Sequence, residues 1–143
     1  MVEVNRYAHK TQTAGKTVAF DGTAGNGAVG TVTVLTITGR VVLKNLATFC
    51  TETLAGATAT VALGVASSTA GLIAATTGTD IAANDWWIDA TPTEVGLAAV
   101  PAGHKDIALS ESVIITVATA NVTDGTLVFW AEYMPLTSNG RLS

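Results

Sequence analysis

Residues 57–65 read ATATVALGV. Ala57, Ala59, Val61, Leu63 and Val65 fall on one side of this stretch, and Thr58, Thr60, Ala62 and Gly64 on the other. A period of two places alternate side chains on opposite faces of a strand. Further strand signals are TVTVLTIT (31–38), VVLKNLATFCTET (41–53), GLIAAT (71–76), SVIITVAT (112–119) and TLVFWAEYM (126–134), and TVAF (17–20) also reads as a strand. The punctuation between them is GR, LAG, SSTAG, TGTD and NVTDG, which supplies hairpin-type turn residues. Many strands broken by Gly, Asn and Asp predict an all-β sandwich or barrel. DGTAGNGAVG (21–30) is a glycine-rich loop, and DIAAN (80–84) is long enough for one helical turn. No stretch carries a sustained 3.6-residue stripe, and no repeat or linker divides the chain. The expected layout is an extended N-terminal arm at 1–16 and one β-sandwich domain at 17–143. Residues 89–105, with Pro92 and Pro101, form the longest irregular stretch, and such loops often make contacts. The tail after Pro135, LTSNGRLS, is expected to be a flexible or partner-bound end.

Composition narrows the function. The 143 residues suffice for one core, and Thr and Val favour strands. Only 13% are charged, about half the usual share for a soluble domain. So little charge fits either a surface partly covered by partners or a sheet kept soluble by Thr and Ser. The net charge is −4, and the seven Lys and Arg form no basic stripe, which argues against direct nucleic-acid binding. Residues 53–79 carry no charge and are long enough to raise the question of a membrane helix. The period-two pattern and the SSTAG turn answer it in favour of a soluble β segment with no membrane contact. Cys50 is the sole cysteine, so no internal disulfide is expected, and its place in LATFC suggests a buried inert thiol. The start MVEVNRYAHK lacks an apolar signal core, so synthesis and folding in a cytoplasm are expected.

Candidate chemistry is sparse. GNGAVG (25–30) has the letters of a dinucleotide loop, but a strand follows where the phosphate-binding helix is required. His9 and His104 stand alone in polar stretches, and no spacing of His and Cys suits a metal, so both read as solvated loop histidines. Ser67, Ser68, Ser110 and Ser112 lack the G-x-S-x-G setting of a nucleophile. Asp80, Asp85 and Asp89 do not match calcium-loop spacing and read as caps and turn formers. NVT (121–123) reads as a turn. Trp86 and Trp87 are adjacent, so in a strand one enters the core and the other meets a loop, a ligand or another subunit. Trp130 and Tyr133 add aromatics near the end of the last strand. No cofactor is implied.

The phrases ATVALGVASSTAGLIAAT, DIAANDWWIDATP and TDGTLVFWAEYMPL, with the order of β segments around them, resemble small virion proteins of tailed bacteriophages. The resemblance covers about residues 30 to 140. It implies an all-β, oligomeric, non-enzymatic protein. Many such proteins decorate or cement capsids, often as trimers, and others are neck, tail or spike accessories.

The reading is therefore a jelly-roll-like β-sandwich with an extended N-terminal arm, forming a homotrimer on the capsid surface of a phage virion. Its partner is the major capsid protein. Contact candidates are Val4, Arg6, Tyr7 and His9 of the arm, Trp86 and Trp87, and Asp89, Pro92, Pro101 and His104 of the long loop. One alternative is a neck or tail accessory. Another is a carbohydrate-binding module using Trp86 or Trp87 with Asp85 and Asp89.

Overall fold

A computed structural model describes residues 10–143. In chain order its strands are β1 (Gln12–Ala19), β2 (Gly30–Leu35), β3 (Ile37–Thr38), β4 (Val41–Ala55), β5 (Thr60–Val65), β6 (Ser68–Thr77), β7 (Ile107–Leu109), β8 (Val113–Ala118), β9 (Asp124–Pro135) and β10 (Arg141–Leu142). Pairing is antiparallel and nested: β1 with β9, β2 with β8, β4 with β7, and β5 with β6. A long hairpin ribbon with that nesting rolls up when β9 also pairs with β4, and β8 with β5. The result is two facing sheets ordered β1-β9-β4-β7 and β2-β8-β5-β6. This is the jelly-roll order, a sandwich of two Greek keys. The expected fold class is the observed one.

Alternation builds the core. Leu127, Phe129, Ala131 and Tyr133 of β9 point inward, as do Val113, Ile115 and Val117 of β8 and Val61 and Leu63 of β5. Fully burying a large apolar side chain is worth about 1.5–3 kcal/mol. β4 changes parity midway. Leu43 faces the core, then the register shifts between Leu43 and Asn45, and Leu46, Thr48 and Cys50 take the inward positions. A bulge of this kind re-aims every later side chain. It puts Ala47 and Phe49 on the outer face. Gly125, the second residue of β9, sits at φ +108°, where a Cβ would stand 2.6 Å from the Leu54 Cα, so only glycine fits there.

The structure departs from the sequence reading at four places. Paired strand begins at Gln12, so residues 12–16 belong to the sheet; residues 1–9 lie outside the described part. The helical turn is a 3₁₀ turn at Gly78–Asp80, two residues before the expected one. β7 was not foreseen because three residues are too few to display a period. The tail is built into the fold: β10 pairs with β3, Leu142 is buried, and Thr36 and Ser143 exchange backbone hydrogen bonds of 2.6 and 3.0 Å.

Candidate functional site

Residues 84–87 dock beside β4 through an isolated β-bridge between Phe49 and Trp86. Asn84 N–H donates to the Cys50 carbonyl at 2.8 Å, Cys50 N–H to the Asp85 carbonyl at 2.8 Å, and Trp87 N–H to the Thr48 carbonyl at 2.9 Å. Strand geometry then fixes the facing of each residue. Asp85 and Trp87 turn inward, and Trp86 turns outward beside Phe49. Asp85 closes the turn by accepting the Ala82 N–H at 2.8 Å, with Asn84 at φ 74°. Trp87 is completely buried and donates its indole N–H to the Thr76 hydroxyl at 3.1 Å.

Trp86 organises the outer face. It meets Phe49 edge-on at 4.9 Å between centroids, and Trp130 lies 6.4 Å away on the other side. These spacings are those of favourable aromatic pairs. The Trp86 indole N–H donates to the Val95 carbonyl at 3.2 Å, and its backbone exchanges hydrogen bonds of 2.9 and 3.2 Å with Thr93. The long loop is thereby pinned with Val95 and Leu97 outward.

Trp130 stands 50% exposed, flanked in register by Gly15 and Ala47. Neither neighbour can cover the ring. The shortfall leaves an open hollow of about 230 Å³ lined by Thr13, Asn45, Trp130 and Glu132. A second hollow of about 330 Å³ lies between Trp86, Asp89, Val95 and Leu97. Leu97 is 85% exposed. The face is thus a run of aromatic and aliphatic surface rimmed by a few carboxylates, the composition of an interaction surface.

The contact candidates separate cleanly. Val4, Arg6, Tyr7 and His9 lie outside the described residues. Trp86 sits on the face, and Asp89 sits at the rim, accepting the Thr91 N–H at 2.7 Å. Pro92 and Pro101 are half-buried in the loop. Two candidates need correction. Trp87 is a core residue, because parity along 84–87 aims it between the sheets. His104 is also core: the 3₁₀ turn Ala102–His104 folds its ring inward, leaving it 1% exposed. Its Nδ1 lies 3.3 Å from the Leu46 carbonyl and its Nε2 3.0 Å from the Leu72 carbonyl. The ring therefore bridges β4 and β6, one from each sheet, and is not a solvated loop histidine. Of the sugar-site set, Trp87 and Asp85 are buried, while Trp86 and Asp89 line the second hollow.

Phe49, Asn45, Val95, Leu97, Trp130 and Glu132 were not among the candidates. TLVFWAEYM carried a signal for two of them. If Leu127, Phe129, Ala131 and Tyr133 fill the core, Trp130 and Glu132 must face out.

No group of three His, Cys, Asp or Glu that could hold a metal occurs among the described residues. GNGAVG is a turn leading into β2. There Asp21 accepts from the Thr23 hydroxyl at 2.6 Å and the Thr23 N–H at 2.9 Å, bonds that hold its carboxyl below the usual value. The Ser67 hydroxyl donates to a Glu111 carboxylate oxygen at 2.8 Å, and its N–H donates to the same oxygen at 3.0 Å. Burial pushes the Cys50 thiol up to about 11, the opposite of what a nucleophile needs. No helix among the described residues is long and apolar enough to cross a membrane.

No family model matches the chain. No curated protein matches it either. Among solved structures, it is similar to a chain of the cyanophage Pam1 capsid asymmetric unit, at 19% identity and a TM-score of 0.50. The likeness covers 94% of this chain and 92% of that one. It shows a shared fold along nearly the full length of both.

Proposed function

We propose that this protein is a structural component of a phage virion that decorates and cements the outer surface of the capsid as a homotrimer. The supporting observation is the near end-to-end likeness to a chain from a phage capsid asymmetric unit. The exposed face around Trp86, Trp130, Val95 and Leu97 supplies the means of attachment. Aromatic anchors in a low-charge surface carry most of the energy in such contacts. A clamp of this kind stabilises the shell by mass action, because it binds assembled coat protein and not the dissociated subunits. The test is co-sedimentation of the purified protein with capsids lacking it. Saturable binding that Trp130→Ala weakens at least tenfold is expected. Failure to bind any capsid surface contradicts the reading, and binding confined to neck or tail moves the job to that part.

The hollow at Trp130 favours a second reading. An open indole face beside Asn45, Glu132 and Thr13 has the chemistry of a carbohydrate platform, displaced from the residues the sequence suggested. Saturable quenching of tryptophan fluorescence by a neutral saccharide, abolished in Trp130→Ala, supports it. A flat titration across a glycan panel removes it.

A further inference from the structure

Strand register sorts the outer face of β1, β9 and β4 into rows. Trp130 lies between Gly15 and Ala47 in one row, and Glu132 lies between Thr13 and Asn45 in the next. Two residues along a strand share a face and stand about 7 Å apart. The hollow of about 230 Å³ therefore has an indole wall at one end and three polar side chains at the other. Trp130 is half exposed because its row neighbours are too small to cover it, and Thr13, Asn45 and Glu132 are all exposed. Glu132 belongs to no ion pair among the described residues: the ammonium of Lys44, on the adjoining strand, is held by Asp106.

We propose that this hollow is a socket for an arginine side chain of the coat protein, with the guanidinium stacked on Trp130 and ion-paired to Glu132. This rests on the capsid-binding reading above and names what the partner brings to that face. Attachment here takes Glu132 out of water, and a carboxylate buried without a counter-charge is strongly disfavoured. The docking surface must then carry a cation opposite Glu132. The net charge of −4 on this chain also favours the approach of such a surface.

The chemistry of the hollow selects arginine over lysine. A guanidinium is flat, so it can lie on the open indole in a favourable cation–π arrangement. Its N–H donors form a fixed fork, and the Glu132 carboxylate can accept two of them side by side. Thr13 and Asn45 stand one strand spacing, about 5 Å, to either side and offer further oxygens to the remaining donors. Lysine brings one compact, strongly hydrated charge and no plane to lay on the ring. A neutral saccharide can stack on Trp130 and hydrogen-bond Glu132, but it leaves the negative charge uncompensated.

The test adds N-acetyl-arginine amide to the purified protein and follows the Trp130 indole N–H and the Glu132 amide by NMR. Both signals should shift saturably, and N-acetyl-lysine amide should bind at least fivefold more weakly. Glu132→Gln, an exposed and nearly isosteric change, should weaken the arginine amide at least fivefold while the rest of the spectrum stays as it was. In co-sedimentation the same variant should bind capsids at least tenfold more weakly and with a smaller dependence on salt. Equal response to the two amides, or tighter binding of a neutral saccharide at these signals, overturns the proposal. So does an arginine response that emerges only after Arg6→Gln, because the chain's own arm would then fill the hollow. Capsid binding untouched by Glu132→Gln overturns the arginine socket and leaves the capsid reading standing. A wild type that binds no capsid overturns both.

Discussion

Trp86 and Trp87 are consecutive and face opposite ways: one indole lies on the outer sheet beside Phe49, and the other is sealed in the core against Thr76. The pairing of residues 84–87 with β4 sets that split. Trp87→Ala should therefore cost about 3–5 kcal/mol of stability, the range for deleting a buried aromatic. Trp130→Ala, on the open face, should stay within about 0.5 kcal/mol of wild type. Urea unfolding of the two variants checks this. Equal losses would contradict the assignment of faces.

His104 should behave as a structural staple. Its ring nitrogens face carbonyls on both sheets, and the nitrogen that carries the proton donates to one of them, so His104→Leu keeps bulk but leaves that oxygen without its side-chain partner. A buried polar group left unsatisfied costs about 1–3 kcal/mol. The variant should unfold at lower urea, and amides of residues 89–106 should exchange faster. Unchanged stability would mean that the ring is not held as described.

Cys50 makes stability fall in alkali. The folded thiol is raised to about 11 from an ordinary value of 9.0, mainly by burial. The protonated form favours the fold, so its contribution is whole below pH 9 and is lost as pH rises through about 11. The loss is about 2–3 kcal/mol at most. Cys50→Ala should flatten this part of the stability curve relative to wild type. Native Cys50 should also resist thiol reagents at pH 8 until the protein unfolds. Rapid labelling of the folded chain would contradict the burial.

Glu111 should titrate below an ordinary glutamate. The Ser67 backbone N–H lowers it most, followed by the Ser67 hydroxyl. The stabilisation is present above the ordinary value of 4.5 and is lost as pH falls through the lowered one. Carboxyl NMR titration of Ser67→Ala should show a partial return upward, because the N–H survives. A full return would reverse the ranking of the two donors, and no return would mean that the hydroxyl contributes nothing.

Much of this fold was legible because alternation is strong where strands are long. ATATVALGV, SVIITVAT and TLVFWAEYM announce β5, β8 and β9, and the turns between them mark the ribbon's folds. The site was less legible. Period two says that Trp86 and Trp87 oppose each other, but which one enters the core depends on pairing with Thr48 and Cys50, a long-range fact. His104 looked solvated because its sequence neighbours are polar, yet its partners are carbonyls 58 and 32 residues away. The bulge after Leu43 reverses parity without any glycine or proline to announce it. β7 and β10 are too short to carry a period, and they exist because longer strands offer them an edge.

The most direct measurement is cryo-electron microscopy of the native particle that carries this chain. The account predicts trimeric density at regular positions on the outer head, with the Trp86 and Trp130 face turned toward coat protein. Density absent from the head surface, or that face turned to solvent with no partner against it, would contradict it.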